Sequence, residues 1–514
     1  MGRRPASPSA GTGPADGEGA AAGERSALDP TDPAAFRATA HRLLDACLDR
    51  LENARELPWT PPPETLPGPA ADAPPAAGID DDALADELAD GIMPFATGNT
   101  HPRFFGWVHG TGLANGLLAD MVASTANANC GGRRHVGIDV ERRVIDWCAR
   151  LHGLPGSAGG LVTSGTSTAT LLALHAARVA RFGRDVRAAG QGPGPGSAPT
   201  LYAAEGAHQC VVKAIEIMGI GGDALRRLPV DPATGSLSID ALDRAVGDDL
   251  AAGRAPFCLV GTAGSVNTGR FDDAHALADA AARHGLWLHV DGAFGAWARI
   301  AGAPWEALAG GLERVDSIAF DFHKWPYVQY DAGAVLVRDA ATLGDAFSGR
   351  AAYLESDDDE PGLAGGAPWP CDLGLELSRG FRALKVWSAL RAHGTDALGA
   401  AIAGNCRQAA LMGELVEAAP ELELAAPVTL NVCCFAVVDE GGGDGESADP
   451  EAAERVAERH ARIAAELQLE GECVLSTTRV AGRSVLRAAI ANHRTTEADV
   501  RRTVEAVRSK ARPR

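Results

Sequence analysis

The pattern of apolar and polar positions divides the chain into four parts. Residues 1–33 are rich in Gly, Ala, Pro, Ser and Asp, which predicts a disordered tail. In residues 35–57 apolar side chains recur every three or four positions, as on one face of an amphipathic helix. A connector rich in Pro and Ala follows, and a second helical pattern ends near Gly91. We therefore predict an N-terminal helical segment over residues 34–115.

In residues 116–390, short apolar runs of β type alternate with helical stretches rich in Ala and Leu. Such alternation predicts an α/β domain with a mainly parallel sheet, helices on its faces, and ligands at the carboxyl ends of its strands. Helices and short strands mix in residues 391–514, which predicts a smaller C-terminal α+β domain. The six apolar runs begin at Gly160, Thr200, Phe257, Leu286, Ser317 and Ala334.

The composition argues against several classes of partner. A formal net charge of −20 repels nucleic acid and anionic membranes. The ten cysteines are scattered without zinc-binding spacing, which favours reduced thiols and no metal site. No apolar run is long enough to span a membrane, and the N-terminus lacks the apolar stretch of a signal peptide. We therefore expect a cytoplasmic protein without a nucleic-acid or membrane partner.

One lysine stands out in a chain that has only four. Lys324, in Asp321-Phe-His-Lys324-Trp-Pro, follows a strand-like run at 317–320 and should emerge at a strand end. A lysine in that place can form an imine with an aldehyde cofactor. The alternative is an ordinary surface lysine in a loop, against which the surrounding aromatic residues argue.

Asp291 ends another apolar run, Leu286-Trp-Leu-His-Val-Asp291. A carboxylate at the end of a buried strand must find a partner or have its pKa raised. A pyridinium N–H is one suitable partner, and a charge-assisted hydrogen bond to it would keep the ring protonated as an electron sink. The alternative is an aspartate that caps the following helix.

A third segment, Leu161-Val-Thr-Ser-Gly-Thr166-Ser167-Thr-Ala-Thr, has the pattern of a strand, a turn of small polar residues and a helix. N–H groups at a helix N-terminus bind anions, so Thr166 and Ser167 stand where a phosphate would be held. No Gly-Lys-Ser/Thr follows, so the turn is not a Walker A loop. Ser and Thr are also common helix caps, and for this segment alone that alternative stays open.

A fourth segment, Glu205-Gly-Ala-His208, places an imidazole after a strand-like run, where it could stack on a flat ring. A single histidine is more often structural. The order of the four parts along the chain is more informative than any of them alone. A phosphate turn, a histidine, a strand-end aspartate and a strand-end lysine follow one another.

With its motifs in this order, the chain resembles the group II pyridoxal 5′-phosphate (PLP)-dependent amino-acid decarboxylases over about residues 36–510. That family includes aromatic-L-amino-acid, tyrosine, histidine and glutamate decarboxylases. The resemblance implies a fold type I enzyme with a seven-stranded sheet, and a homodimer with its active site at the interface. The resemblance is carried by His101-Pro-Arg-Phe-Phe-Gly-Trp, 163–170, Ala207-His208, His289-Val-Asp291-Gly-Ala-Phe, Asp321-Phe-His323-Lys324-Trp and Arg379-Gly-Phe-Arg-Ala-Leu-Lys385.

The resemblance implies catalytic roles for four residues. Lys324 would carry PLP as a Schiff base, Asp291 would contact the pyridine nitrogen, and His208 would lie over the ring. In the family a tyrosine on a mobile loop donates a proton to the substrate's α-carbon, and Tyr353 lies at the matching distance after the lysine. The implied reaction converts an L-amino acid to the corresponding amine and CO2.

The resemblance also implies the remaining cofactor contacts. Thr166, Ser167 and His323 would bind the phosphate. Thr262 and Ala293 would pack near the cofactor.

The chain departs from the family pattern in three places. Asp321 stands where several members have Asn, which changes the charge expected near the phosphate, and Thr168 stands where many have Glu. Residues 357–366 are unusually acidic and rich in Gly. That composition suits a mobile lid, and it equally suits a disordered surface loop.

Three alternative functions remain open at this point. Some relatives couple decarboxylation to oxidation by O2 and release an aldehyde; their loop tyrosine is typically Phe, so Tyr353 favours simple decarboxylation. A transaminase or lyase of the same fold fits His323-Lys324-Trp less well. A catalytically silent binding protein on this fold is opposed by the retained Lys324, Asp291 and His208.

The sequence leaves the substrate open among aromatic, aliphatic and acidic amino acids. By resemblance, residues 101–116 and 125–133 shape the side-chain pocket. Trp107, His109, Asn127 and Asn129 make these segments partly polar. The two asparagines could bond a polar substrate group or simply fix the loop backbone.

Overall fold

The computed structural model describes residues 28–65, 74–191, 198–231, 234–349, 365, 368–438 and 450–512. The chain forms two compact units, of which the smaller lies within residues 1–49 and 63–94. The described residues of that unit include most of helix α1 (Pro33–Glu52) and helix α2 (Asp81–Asp86), as expected of the predicted N-terminal helical segment. No helix among the described residues is long and apolar enough to cross a membrane.

A seven-stranded sheet forms the centre of the larger unit. Its strands are β1 Gly159–Thr163, β2 Pro199–Ala204, β3 Leu225–Leu228, β4 Ala255–Thr262, β5 Trp287–Asp291, β6 Ser317–Asp321 and β7 Gly333–Val337. Their order is β1-β7-β6-β5-β4-β2-β3. The pairs from β6 to β3 are parallel, and β7 is antiparallel to both its neighbours. The predicted mainly parallel sheet is therefore confirmed.

All six apolar runs picked out in the sequence are strands of this sheet. The apolar pattern does not predict the seventh strand, β3, because its sequence is Leu-Arg-Arg-Leu. It lies at the edge of the sheet and, among the described strands, pairs with β2 alone. An edge strand has a neighbouring strand on one side only, so some of its side chains can be polar. It therefore lacks the continuous apolar run that marks a central parallel strand.

Helices cover the sheet, and its inner strands are accordingly buried. Strands β2, β6 and β7 are buried at every residue. Helix α5, which directly follows the turn after β1, packs against β6 and β7. The helices of this region are α3 Ala114–Ala126, α4 Val136–Leu151, α5 Thr166–Phe182, α6 Val186–Ala189, α7 Cys210–Ile217, α8 Ile239–Ala251, α9 Ala274–His284 and α10 Ala341–Phe347.

A buried ion pair holds β1 in place. Arg379 donates to both carboxylate oxygens of Glu141, at 3.0 and 2.7 Å, and also to the Cys130 carbonyl at 3.0 Å. Glu141 in turn accepts the Val162 N–H of β1 at 3.0 Å. Because β1 leads directly into the turn before α5, this pair positions that turn.

The C-terminal region has the α+β architecture that the sequence predicts. It contains an antiparallel four-stranded sheet in the order β10-β11-β9-β8, with β8 Leu422–Leu424, β9 Val432–Val437, β10 Ser476–Val480 and β11 Arg483–Ala489. The accompanying helices are α11 Arg382–Glu417, α12 Pro450–Leu469 and α13 Glu497–Ala511. Both sheets lie in one compact unit. The domain boundaries proposed from the sequence stay a prediction.

Candidate functional site

The polar residues that end three neighbouring strands lie at one edge of the large sheet. Thr262 ends β4, Asp291 ends β5 and Asp321 ends β6. Because β4, β5 and β6 are parallel, their carboxyl ends meet there. The first turn of α5, beginning at Thr166, closes one side of this edge.

A cavity of about 320 Å³ lies at this edge of the sheet. All eight predicted site residues that fall within the described part of the chain line it. The ninth, Tyr353, lies outside the described residues. The lining consists of Val108, Ser164, Gly165, Thr166, Ser167, Thr168, Gly206, His208, Thr262, Gly264, Val266, Asp291, Ala293, Phe294, Asp321, His323 and Lys324.

Lys324 is held at the cavity and is not a solvated surface lysine. Its Nζ lies 2.9 Å from Asp321 Oδ2, and its side chain is 24% exposed. Phe322 and Trp325, on either side of it in the sequence, are fully buried. Burial lowers the pKa of Lys324, but its acidic neighbours, Asp321 above all and then Asp291, more than offset this, so the pKa is raised above its ordinary value.

Asp291 is a buried carboxylate with few partners. Its Oδ1 accepts the Ala293 N–H at 3.1 Å, and the Cys210 thiol donates to its Oδ2 at 3.7 Å. Burial raises the pKa of Asp291, while the positive charge of Lys324 opposes the rise. A cationic N–H donor in the cavity would restore the charged form of this carboxylate.

The turn before α5 presents unused donors to the cavity. Thr166 Oγ1 is buried and has no hydrogen-bond partner among the described residues. The N–H groups in the first turn of a helix have no partners within the helix. The Ser164 and Thr168 hydroxyls bond each other at 3.0 Å. A phosphate group fits this corner because it supplies the acceptors that Thr166 lacks.

Both site histidines have one ring nitrogen fixed as an acceptor. His323 Nδ1 accepts the Ala332 N–H at 3.2 Å, and His208 Nδ1 accepts the Cys210 N–H at 3.2 Å. Burial lowers the pKa of His323, and the nearby Asp321 only partly opposes this. When either ring is neutral, its proton therefore lies on Nε2, which makes Nε2 the donor. In His323 this nitrogen lies 3.7 Å from Asp321 Oδ2.

The combination of these groups fits PLP. The cavity offers a primary amine for an aldehyde carbon, a buried carboxylate for a pyridine nitrogen and an unsatisfied anion corner for a phosphate. The amine and the carboxylate come from adjacent strands, and the anion corner comes from the helix that follows β1.

Sequence reasoning missed two neighbours of this site. Cys210 is buried beside Asp291, and its thiol also lies 3.9 Å from Thr170 Oγ1. The Tyr330 ring lies 4.3 Å from the His323 ring, measured between centroids. The position of Cys210, two residues after His208, was a usable signal. Nothing local marked Tyr330, because the turn between β6 and β7 brings it back to His323.

The two asparagines considered for the substrate pocket differ in what the structure shows of them. Asn129 Oδ1 accepts the N–H groups of Gly131 and Arg379, each at 2.9 Å. Asn127 ends α3 in the left-handed conformation, with φ of 44°. Asparagine tolerates this conformation better than most residues do. The contacts of Asn129 are those of the loop-fixing alternative, and for Asn127 both alternatives stay open.

Comparisons with known proteins agree with this geometry. Residues 67–438 match the family described as pyridoxal-dependent decarboxylase conserved domain. The aromatic-L-amino-acid decarboxylase of Bacillus atrophaeus is 28% identical over 470 residues, covering 90% of this chain and 92% of that protein. The phenylacetaldehyde synthase of Arabidopsis thaliana is 27% identical over 506 residues, covering 95% of this chain and 98% of that protein. A crystal structure of Oryza sativa TDC with PLP and tryptamine has a TM-score of 0.83 and 27% identity, covering 94% of this chain and 99% of that one.

Proposed function

This chain belongs to the pyridoxal-dependent decarboxylase family, and from that premise we propose how its own residues carry the family's reaction. Its fold is that of the fold type I PLP enzymes, and its cofactor is PLP. It is a carboxy-lyase that converts an L-amino acid to the corresponding amine and CO2. The observation that carries the proposal is the convergence of Lys324, Asp291 and the Thr166 turn on one cavity.

Eight of the lining residues have a binding task. Lys324 would bond the aldehyde carbon of the cofactor, and Asp291 would accept the pyridine N–H. The phosphate would be bound by Thr166, Ser167 and His323. His208 would lie over the ring, and Thr262 and Ala293 would flank the cofactor. When bound, PLP supplies a protonated ring that takes up the electron pair left behind when the carboxylate departs.

Asp291 sets the protonation state of the ring. An isolated buried carboxylate favours its neutral form, and burial does raise the pKa of this one. A pyridinium N–H restores the charged form, because the pair then forms a charge-assisted hydrogen bond. Through its contact with Asp291 Oδ2, the Cys210 thiol holds the carboxylate in place.

Tyr353 is proposed as the acid that delivers a proton to the substrate's α-carbon. General acids of this kind typically contribute about 10²–10⁴-fold to the rate. We expect the amine as product because oxidative relatives typically have Phe at the matching place. The test is product analysis for amine, aldehyde and peroxide, with Tyr353→Phe beside the wild type. Aldehyde and peroxide from the wild type would favour the oxidative alternative.

An aromatic amino acid is the proposed substrate. Several of the relatives are named as aromatic-L-amino-acid, tryptophan or tyrosine decarboxylases. In this chain the rings of Phe104, Trp107 and His109 form one cluster, in which the His109 centroid lies 5.6 Å from Phe104 and 5.7 Å from Trp107. Trp107 is 53% exposed, so it offers a flat face that an aromatic side chain can pack against. CO2 release should be fastest with an aromatic member of an amino-acid panel, and preference for an acidic or aliphatic one would contradict this.

A homodimer with the active site at its interface is also proposed, in the cytoplasm. Leu118, Met121 and Val122 lie on one face of α3, and each is at least 45% exposed. Such an apolar face on a helix is typical of a surface that a second chain covers. The ten cysteines are free, which suits a reducing compartment. Light scattering should give the mass of two chains, and Val122→Asp should shift it towards one.

The decisive test of the function replaces Lys324 with Ala and measures CO2 release with the preferred amino acid. Steady turnover should be abolished, because no amine remains to hold the cofactor and release the product. Lys213→Ala is the matched control, since Lys213 is an exposed lysine on α7 and lies outside the cavity. Normal turnover in the Lys324 variant would refute the assignment.

A further inference from the structure

Asp321 has no task in the assignment above, yet it is held where the phosphate would bind. Its Oδ1 accepts the N–H of Thr166 at 2.7 Å, and its Oδ2 lies 2.9 Å from Lys324 Nζ. The side chain is only 3% exposed. One carboxylate therefore takes the first N–H of helix α5 and also neutralises the lysine.

Two glycines make the space that Asp321 fills. Gly333 pairs with Asp321 across β6 and β7, and a Cβ there would lie 2.8 Å from Asp321 Oδ1 and 2.6 Å from Gly165 Cα. A Cβ at Gly165 would lie 3.3 Å from the same oxygen. Backbone on two sides thus fixes the position of the carboxylate.

The same corner has a donor that Asp321 does not use. Thr166 is 6% exposed, and within the described part of the chain its Oγ1 has no hydrogen-bond partner. Asp321 takes the backbone N–H of Thr166 and leaves the hydroxyl unsatisfied. A phosphate has three terminal oxygens, so it could accept from both donors of this residue. The geometry favours an anion with more acceptors than one carboxylate.

The charges in the cavity make a phosphate dianion costly. In the described part of the chain, Lys324 is the only lysine that lines the cavity, and no arginine lines it. Burial lowers the pKa of His323, so that ring is neutral. The titratable groups that face Asp321 are Lys324, His323, Asp291 and Tyr330. A dianion would meet the Asp321 carboxylate and a lysine that this carboxylate already pairs.

We propose that Asp321 is a resident anion that competes with the cofactor's phosphate for Thr166 and Lys324, so that the phosphate binds together with one proton. The inference rests on the proposed function, because it takes this cavity as the cofactor site. A phosphate monoester loses its last proton with a pKa of about 6. Above pH 7 the ligand therefore takes one proton from solvent, and that proton is shared between a phosphate oxygen and an Asp321 oxygen.

The test uses 4′-deoxypyridoxine 5′-phosphate, which has no aldehyde and so cannot bond Lys324. Its binding to the full-length chain freed of cofactor is measured by calorimetry from pH 7 to 9, in buffers of different ionisation enthalpy. The wild-type Kd should rise about tenfold per pH unit with uptake of about one proton. For Asp321→Asn, the Kd should change less than about twofold per pH unit. On binding the probe, this variant should take up about one proton fewer than the wild type does. Comparing the two proteins cancels any proton taken up at Asp291.

Asp316→Asn is the matched control. Asp316 immediately precedes β6, accepts the Leu288 N–H at 2.7 Å and does not line the cavity, so this variant should keep the wild-type pH slope. Equal slopes for wild type and Asp321→Asn would overturn the inference. Binding to the wild type without proton uptake would overturn it too, even if the Asp321 variant failed to fold. A wild type that did not bind the probe at all would overturn the proposed function as well.

Discussion

Replacing Asp291 with Asn removes one charge at the end of β5 and leaves the shape of the cavity nearly unchanged. In the wild type the carboxylate is 5% exposed, so water cannot replace it as a partner of the pyridine nitrogen. A hydrogen bond to a charged group contributes about 1.5–3 kcal/mol. At 1.36 kcal/mol for each factor of ten, the loss corresponds to PLP binding weakened roughly 10- to 150-fold. The variant should also lower the pKa of Lys324, which Asp291 helps to raise.

The assay is titration with PLP, followed by its absorbance, together with kcat for CO2 release at saturating PLP. Loss of ring protonation should lower kcat even when the cofactor is fully bound. Asp272→Asn is the control. Asp272 is a similarly buried aspartate that accepts the N–H groups of Leu237 and Thr262, at 2.7 and 2.8 Å, and it does not line the cavity. Unchanged Kd and kcat in Asp291→Asn would refute the reasoning, as would an equal loss in the control.

Three further predictions concern single buried groups. Thr166→Val should weaken PLP binding by roughly tenfold or more while stabilising the cofactor-free protein, because it removes an unsatisfied hydroxyl; equal melting temperatures and equal Kd would contradict this. Arg379→Met should destabilise the fold by about 3–5 kcal/mol in urea, because it leaves the buried Glu141 unpaired, and adding Glu141→Gln should recover part of that loss. Burial lowers the pKa of His152 from 6.5 to about 4. As the pH drops through this range, the unfolded chain binds a proton that the folded chain does not, so the free energy of unfolding falls. Between pH 7.5 and pH 4, the free energy of unfolding should fall by roughly 3 kcal/mol less in His152→Phe than in the wild type. An equal fall in the two proteins would contradict this.

The sequence could predict those parts of the site that short runs of neighbouring residues indicate. Asp291 and Lys324 stand just where apolar runs end, and a parallel sheet brings the ends of adjacent strands together. The Thr166 turn was visible because small polar residues follow one such run and precede a helix. These signals need only the period of the apolar positions and the rule for parallel strands.

The contacts that the sequence could not predict join distant residues through backbone geometry. Asp321 bonds the N–H of Thr166, 155 positions away, because Gly165 and Gly333 leave room for its carboxylate. The turn between β6 and β7 returns Tyr330 to the His323 ring. No local pattern encodes either approach, since both depend on where other strands place the backbone.

The central claim is that Lys324 holds PLP, and it can be tested directly because the chain has only four lysines. Borohydride reduction of the holoenzyme fixes the cofactor to the lysine that bears it, and peptide mass spectrometry then locates the added mass. We predict the label on the peptide that contains Lys324 and on no other. A label on Lys213, Lys385 or Lys510, or no label on any lysine, would contradict the account.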